Sequence, residues 1–295
     1  MRIALLGLGA IGAPMARHLA AHHDLIVWNR TRPVADAFAA DTGCAVAATP
    51  REAATGADAV ITCLPTSKEV AALLEGADGL LAGLASGSLL IDCTSGDPAT
   101  SRATAERLAA ASIAFVDAPV SGGTNGAEAA ALTVMVGGSA EAFARAEPIV
   151  RCFGKLVVHM GPVGAGDAMK AVNNALLAVN IAAFAEGFSV LAKAGVPAAT
   201  AIAVLNASSG RSFVTEKLVP ERVLTGRFPL TFRLSLLDKD VGIALDLARQ
   251  LGLDAPVLDA AGAVAHGARA DLPADADYLD IVQVVERRAG VQIRG

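Results

Sequence analysis

The chain has 295 residues, 54% of them hydrophobic, and 24 basic against 29 acidic residues give it a net charge of −5. That length suits two modest domains with sizeable cores, while mild acidity, no basic cluster and few aromatics argue against a nucleic-acid binder. Cys44, Cys63, Cys93 and Cys152 stand singly, in neither zinc nor disulfide spacing, so no metal is expected and the reduced thiols of a cytoplasmic protein fit best.

Taken in order, "RIALLG" reads as a strand and Ala10 to Ala21 as a helix. The apolar start has the look of a short secretory leader, but its glycine spacing has a better explanation, given below. "LIVWN" is a strand, followed by a helix from about Pro33. "DAVITCLP" and "SLLIDC" are strands, with a helix from about Pro98 after the second. "IAFVDAP", "ALTVMVGG" and "KLVVHM" complete the strand set. Such alternation predicts a parallel sheet with helices on both faces, extended at its end by antiparallel or mixed strands. After Gly161-Pro162 no convincing strand follows. Ala/Leu-rich segments are separated by turn signals such as "AGVP", "SSGRS", "TGRFPL", "LGLDAP" and "ADLPADAD". The expected fold is therefore α/β: a Rossmann-type doubly wound sheet over 1–161, then an all-α domain over 162–295, joined by a long helix at about 164–192. The apolar run from Ala175 to Ala185 is too short to predict a membrane span. Only the last few residues are candidates for disorder.

"GLGAIG" places Gly7, Gly9 and Gly12 in G-x-G-x-x-G spacing, directly after a strand and opening a helix. The first glycine permits a tight turn, the second lets a pyrophosphate approach the backbone, and the third lets helix and sheet pack closely. The helix N-terminus then attracts phosphate. Leu8, Ala10 and Ile11 complete the loop as cofactor contacts. The next strand ends in "NRT", where NAD-preferring sites usually carry a carboxylate. Asn29, Arg30 and Thr31 instead offer a cation and a hydroxyl, which suit a 2′-phosphate. NADP is thus favoured, with NAD as the alternative, and Arg32 is a second candidate for the cation.

In "GAGDAMKAVNNALLAVNIAAFAEG", one lysine and two asparagines interrupt an apolar helix. Lys170 and Asn174 fall one turn apart on one face, with Asn173 beside them. An ammonium and a carboxamide so placed can address one small polar ligand. A snorkelling lysine and a capping asparagine are the structural alternative.

With these stretches in view, the chain resembles the β-hydroxyacid dehydrogenases, the family of 3-hydroxyisobutyrate dehydrogenase, tartronate semialdehyde reductase and the glyoxylate/succinic semialdehyde reductases. The resemblance covers nearly the whole chain and rests on "GLGAIGAPMA", "DAPVSGG", "GAGDAMKAVNN" and "LLDKD", in that order. Ile11 departs from the methionine common in the family. The resemblance implies that Lys170 is the catalytic lysine and Asn174 the substrate-orienting asparagine. It implies that Ser121, Gly122 and Gly123 hold the substrate carboxylate. It matches Leu64, Pro65 and Ser95 to cofactor contacts, Lys239 to a lysine near the cofactor, and Phe232 and Asp240 to the lining of the substrate pocket.

The chemistry expected is hydride transfer between a nicotinamide and a small 3-hydroxy acid or its semialdehyde. An ammonium beside the substrate oxygen stabilises the alkoxide and supplies its proton, and neutral lysine accepts it in reverse. Free lysine titrates near 10.4, and burial beside an oxidised nicotinamide would lower that value. Imine reductases share the architecture but commonly carry Asp or Tyr in place of the lysine. A 6-phosphogluconate-type substrate would need cations such as Arg211 and Lys217, and a larger second domain. A non-catalytic dinucleotide-sensing scaffold would be signalled by loss of the lysine, which is present. Ser209, Arg211, Ser212 and Phe213 are candidates for shaping the substrate pocket. The expected partners are a small carboxylate-bearing substrate and further copies of the chain, as a homodimer or homotetramer, with neither nucleic acid nor membrane.

Overall fold

The computed structural model describes residues 1–295. They separate into two compact units, Met1–Lys170 and Ala171–Gly295.

The first unit begins β1 (Arg2–Leu6), α1 (Gly12–Ala20), β2 (Asp24–Trp28), α2 (Arg32–Thr42), β3 (Ala45–Val46) and α3 (Pro50–Ala54). It continues β4 (Ala59–Thr62), α4 (Ser67–Leu74), β5 (Leu89–Asp92), α5 (Pro98–Ala109) and β6 (Ala114–Asp117). It closes with β7 (Val120–Ser121), α6 (Gly123–Glu128), β8 (Leu132–Gly137), α7 (Ala140–Val150) and β9 (Gly154–Gly161). Side chains alternate across the sheet: Ile3 and Leu5 enter one core cluster, while Ala4 and Leu6 enter another on the opposite face. The same split recurs in β5, where Leu89 and Ile91 face one core and Leu90 the other. A sheet buried on both faces explains the near-continuous apolar strands.

The sheet order is β3-β2-β1-β4-β5-β6-β8-β7, with β9 paired to β8. The first six strands are parallel, and β8 turns antiparallel to β6 through Asp117 and Gly137. Since β9 runs parallel to β8, the extension is mixed, as expected from the closer spacing of these strands. Chain direction across the sheet reverses between β1 and β4. A doubly wound sheet leaves its ligand crevice there, at the carboxyl ends of the strands. The two-residue β3 and the five-residue α3 gave no periodic signal.

α8 (Ala165–Lys193) runs through the division between the units. The rest of the second unit is α9 (Ala198–Asn206), a π-wound helix over Val214–Val223, α10 (Leu234–Gln250), α11 (Pro256–Ala268) and α12 (Ile281–Ala289). It has no strand, only an isolated bridge between Arg233 and Asp277. Its core collects Ala171, Ala175, Ala178 and Ala185 from one stripe of α8, with Phe184 and Phe188 in ring contact at 4.4 Å. α8 covers nearly the same residues as the long helix expected at about 164–192. By length and composition it would reach across a membrane, but its buried stripe packs as a core helix does. The chain end is ordered, contrary to expectation: Ile293 is buried, and Gly295 N–H donates to Leu224 O at 3.0 Å.

Candidate active site

The glycine loop joins β1 to α1. Gly7 sits at φ +107°, and a Cβ there would lie 2.2 Å from Cys63 O; a Cβ on Gly12 would lie 2.0 Å from Gly7 O. Both positions therefore require glycine, one for the turn and one for helix packing. A Cβ on Gly9 would meet nothing within 4 Å, so the loop is open on the side a pyrophosphate would approach. The N-cap of α1, Ile11, makes no side-chain cap, and no acidic residue stands in the first turn. The unsatisfied N–H groups and the helix dipole are thus available to an anion. These features fit a dinucleotide.

Asn29 has a task that its position did not suggest. Its Oδ1 accepts from Leu8 N–H at 3.0 Å, and its Nδ2 donates to Thr31 O at 3.0 Å. The side chain braces the glycine loop against the end of β2. Arg32 is held by Asp36 at 2.7 Å. Arg30 is exposed and in no ion pair.

The loops after β4 and β5 carry Leu64, Pro65 and Ser95. Thr62 Oγ1 donates to Asp92 Oδ1 at 2.8 Å, Thr94 N–H to the same oxygen at 3.0 Å, and Leu64 N–H to Thr94 Oγ1 at 3.0 Å. This chain of bonds ties the two loops together. Burial pushes the Asp92 carboxyl up to about 6, against the opposing pull of the Thr94 and Thr62 hydrogen bonds. Burial also pushes the Cys63 thiol up to about 12, and that of Cys93 well above its usual range. Neither thiol is therefore a ready nucleophile.

Ser121 ends β7 and pairs with Thr133 of β8. Gly122 and Gly123 follow at φ +134° and +64°, and both are exposed. Their left-handed backbone turns the loop into α6, where the cap residue Gly122 contributes no side-chain bond.

α8 carries both residues singled out in the sequence. Lys170, partly buried, is the last residue of the first unit, and Asn174, one helical turn on, belongs to the second. Within the second unit Asn174 Nδ2 donates to Asp240 Oδ2 at 2.6 Å, and Asn173 Nδ2 donates to Asn174 Oδ1 at 3.1 Å. Lys239 Nζ stands 3.0 Å from Asp240 Oδ1. Asp240 and Asn174 are both buried, and Asp240 is engaged with Asn174 and Lys239.

Phe232 is set by a residue that sequence reasoning passed over. Asp277 accepts from Phe232 N–H (3.1 Å), Thr231 N–H (2.7 Å) and Leu279 N–H (2.9 Å), and pairs with buried Arg222 at 2.6 Å. The Phe232 ring meets Tyr278 edge-on at 5.8 Å. "ADLPADAD" read only as a turn. Its last aspartate is the anchor, and an apolar residue on either side of "DY" was the available hint. Of the other pocket candidates, Ser212 N–H is capped by Thr215 Oγ1 at 2.8 Å, while Ser209, Arg211 and Phe213 are exposed.

Residues 2–161 match the sequence profile for the NAD-binding domain of 6-phosphogluconate dehydrogenase. Residues 164–285 match the profile described as NAD-binding of NADP-dependent 3-hydroxyisobutyrate dehydrogenase. The chain belongs to the 3-hydroxyisobutyrate dehydrogenase family. Within that family it is 34% identical to the 2-(hydroxymethyl)glutarate dehydrogenase of Eubacterium barkeri, over 100% of this chain and 98% of the relative. It is 36% identical to the NAD-dependent L-serine dehydrogenase of Pseudomonas aeruginosa, over 87% and 88% of the two chains. The 3-hydroxyisobutyrate dehydrogenase of Mycobacterium tuberculosis, solved with L-serine, superposes with a TM-score of 0.89 at 33% identity, covering 96% of this chain and 98% of that one. Like its family, the protein is a nicotinamide-dinucleotide-dependent oxidoreductase acting on the CH–OH group of a hydroxy acid.

Proposed function

We propose that the protein is an NADP-preferring dehydrogenase of small 3-hydroxy acids, and in reverse a semialdehyde reductase, with Lys170 as its general acid and base. The observation that carries this reading is the pair Lys170 and Asn174, one turn apart on one helix, with the Asn174 carboxamide fixed by buried Asp240. A fixed carboxamide suits a group that orients a substrate hydroxyl and transfers no proton.

When bound, the nicotinamide supplies the hydride or takes it up. The residues of this chain do the rest. The backbone from Gly7 to Gly12 holds the pyrophosphate, and Arg30 with Thr31 takes the 2′-phosphate. Leu64, Pro65 and Ser95 stand on the loops toward the nicotinamide end. Ser121, Gly122 and Gly123 hold the substrate carboxylate through a hydroxyl and backbone N–H groups. In reduction, the Lys170 ammonium stabilises the forming alkoxide and gives it a proton; in oxidation, the neutral amine removes the proton from the hydroxyl.

The names of the relatives support a narrower class. 3-Hydroxyisobutyrate, serine and 2-(hydroxymethyl)glutarate share a hydroxymethyl group on the carbon that bears a carboxylate. We assign that class to this chain.

Lys170→Ala is the test. kcat should fall by about 10²- to 10⁴-fold, the scale of a lost general acid or base, while NADPH binding holds. The rise of oxidation rate with pH, caused by deprotonation of the lysine, should vanish in the variant. A folded, NADPH-binding Lys170→Ala protein with near-normal kcat would overturn the mechanism.

A further inference from the structure

Lys170 stands three residues beyond Asp167, about one turn on from a first helical turn that is held by two buried aspartates. Asp117, at the end of β6, accepts Gly164 N–H on Oδ1 at 2.7 Å and Asp167 N–H on Oδ2 at 2.9 Å. Asp167 accepts Gly96 N–H on Oδ1 at 3.1 Å, and its Oδ2 meets Ser101 Oγ at 2.6 Å. The slot is closed by glycines. A Cβ on Gly137 would lie 2.4 Å from Asp117 Oδ1, and one on Gly166 would lie 2.2 Å from Met135 O. The start of α8 therefore has little room to move.

The donors assign the protonation of the pair. Both oxygens of Asp117 receive backbone N–H groups, which can only donate; this donor set favours the carboxylate at Asp117 against the upward push of its burial. Its charge also lies at the N-terminus of α8, where the helix dipole favours an anion. Asp167 needs an acceptor only toward Gly96. Its other oxygen faces a hydroxyl, which accepts as readily as it donates. A neutral acid fits there, and a second charge beside Asp117 would be opposed by Coulomb repulsion in a dry site. The charged groups around the pair are Asp92 from the end of β5 and Arg102 of α5, near Gly164. Burial, then the Asp117 and Asp92 charges, push the Asp167 carboxyl well above its usual range, in agreement with the bond pattern. The three aspartates do not assemble a metal-ligand set.

We infer that anionic Asp117 and neutral Asp167 are positioning residues for Lys170: together they bolt the first turn of α8 to the end of β6 and to the Ser95–Gly96 loop, and so fix where the lysine presents its ammonium. The functional part of this inference rests on Lys170 being the acid/base group; the protonation part does not.

Asp167→Asn keeps an acceptor for Gly96 and a partner for Ser101, and should leave kcat, KM and the pH profile close to those of the unmutated protein. Asp117→Asn turns an N–H donor toward a backbone N–H. It should lower kcat by about 10²-fold, the scale of an ångström-sized misplacement, with a smaller change in substrate KM and in NADPH affinity. The infrared difference spectrum between unmutated protein and Asp167→Asn, without cofactor at pH 8, should show the carbonyl stretch of a buried protonated acid in the unmutated protein alone. That measurement decides the assignment even where Asp117→Asn fails to fold. Absence of the band, its persistence in Asp167→Asn, or equal damage from the two asparagine substitutions would overturn the proposal. Unaltered kcat in Lys170→Ala with the band in place would instead remove the acid/base reading and, with it, the functional half of this one.

Discussion

The first unit buries Asp92, Asp117 and Asp167 with hydroxyls and backbone N–H groups as partners, and none of the three is in an ion pair. The second unit buries Asp277 against the Arg222 guanidinium. Both arrangements fix loops that carry candidate site residues: Leu64 and the Ser95–Gly96 turn in one case, Phe232 in the other. They differ in what a change of conditions can do. Burial pushes up the pKa of a carboxyl held only by neutral donors, so its stability contribution follows pH. A carboxylate held by an arginine depends instead on that one partner, because a buried charge left alone is very costly.

Breaking the second arrangement should have the largest effect. Arg222 and Asp277 have side-chain exposures of only 8% and 1%. Arg222→Met should therefore destabilise the second unit by about 3–5 kcal/mol, the usual consequence of stranding a buried charge. Tyr278 is the sole tyrosine and lies in that unit, and Trp28 is the sole tryptophan and lies in the first, so the two can be followed separately in one denaturant titration. The Tyr278 transition should move to lower denaturant. Removing the charge as well, in Arg222→Met with Asp277→Asn, should recover part of the loss. A Tyr278 transition unmoved by Arg222→Met would mean that the pair is not what holds the Phe232 loop.

The first arrangement should respond with the opposite sign. Asp92 titrates at about 6 in the folded protein against an ordinary 3.8. Between those values the folded state holds more protons than the unfolded one, so stability is full below about pH 4 and is lost as pH rises through about 6. The shift corresponds to about 3 kcal/mol at most. Asp92→Asn keeps an acceptor for Thr62 and Thr94 and removes the charge. It should therefore stabilise the first unit by about 1–3 kcal/mol at pH 8, and the gain should disappear toward pH 4. The Trp28 transition measured across that range checks both sign and window. Equal stability of the two proteins at pH 8 would place the charge of Asp92 in a wetter setting than its bonds imply.

The same contrast marks what was legible in the sequence. The sheet, the glycine loop and the helical second half were readable because strand runs, glycine spacing and alanine stripes follow local periods. Lys170 and Asn174 could be singled out because polar groups interrupt an apolar helix, and the roles proposed for them above await their test. Asp117 and Asp167 stood inside quoted motifs, yet their pairing crosses 50 residues between two elements and leaves no local pattern. Arg222 and Asp277, 55 residues apart, were hidden for the same reason. Asn29 was read as a ligand group because its place after β2 suits one; its bond to Leu8 N–H adds a bracing role that left no local signal.

Arg30 provides the smallest of these effects and the one confined to the surface. The end of β2 carries no carboxylate, Asn29 is engaged by backbone, and Arg32 is held by Asp36. If Arg30 takes the 2′-phosphate, the unmutated protein should prefer NADPH to NADH. Arg30→Ala should then reduce the kcat/KM ratio between them by about tenfold, or about 1.4 kcal/mol for one charged contact. Added salt should narrow the ratio in the unmutated protein more than in the variant, since an exposed contact is screened. Both unfolding transitions should stay in place, unlike those of the buried pairs. Arg32→Ala should change the ratio less, because Asp36 already neutralises that cation. One relative in the family is named for NAD dependence, so the alternative is concrete: equal use of the two cofactors by the unmutated protein would make Arg30 a solvated turn residue and return the chain to NAD.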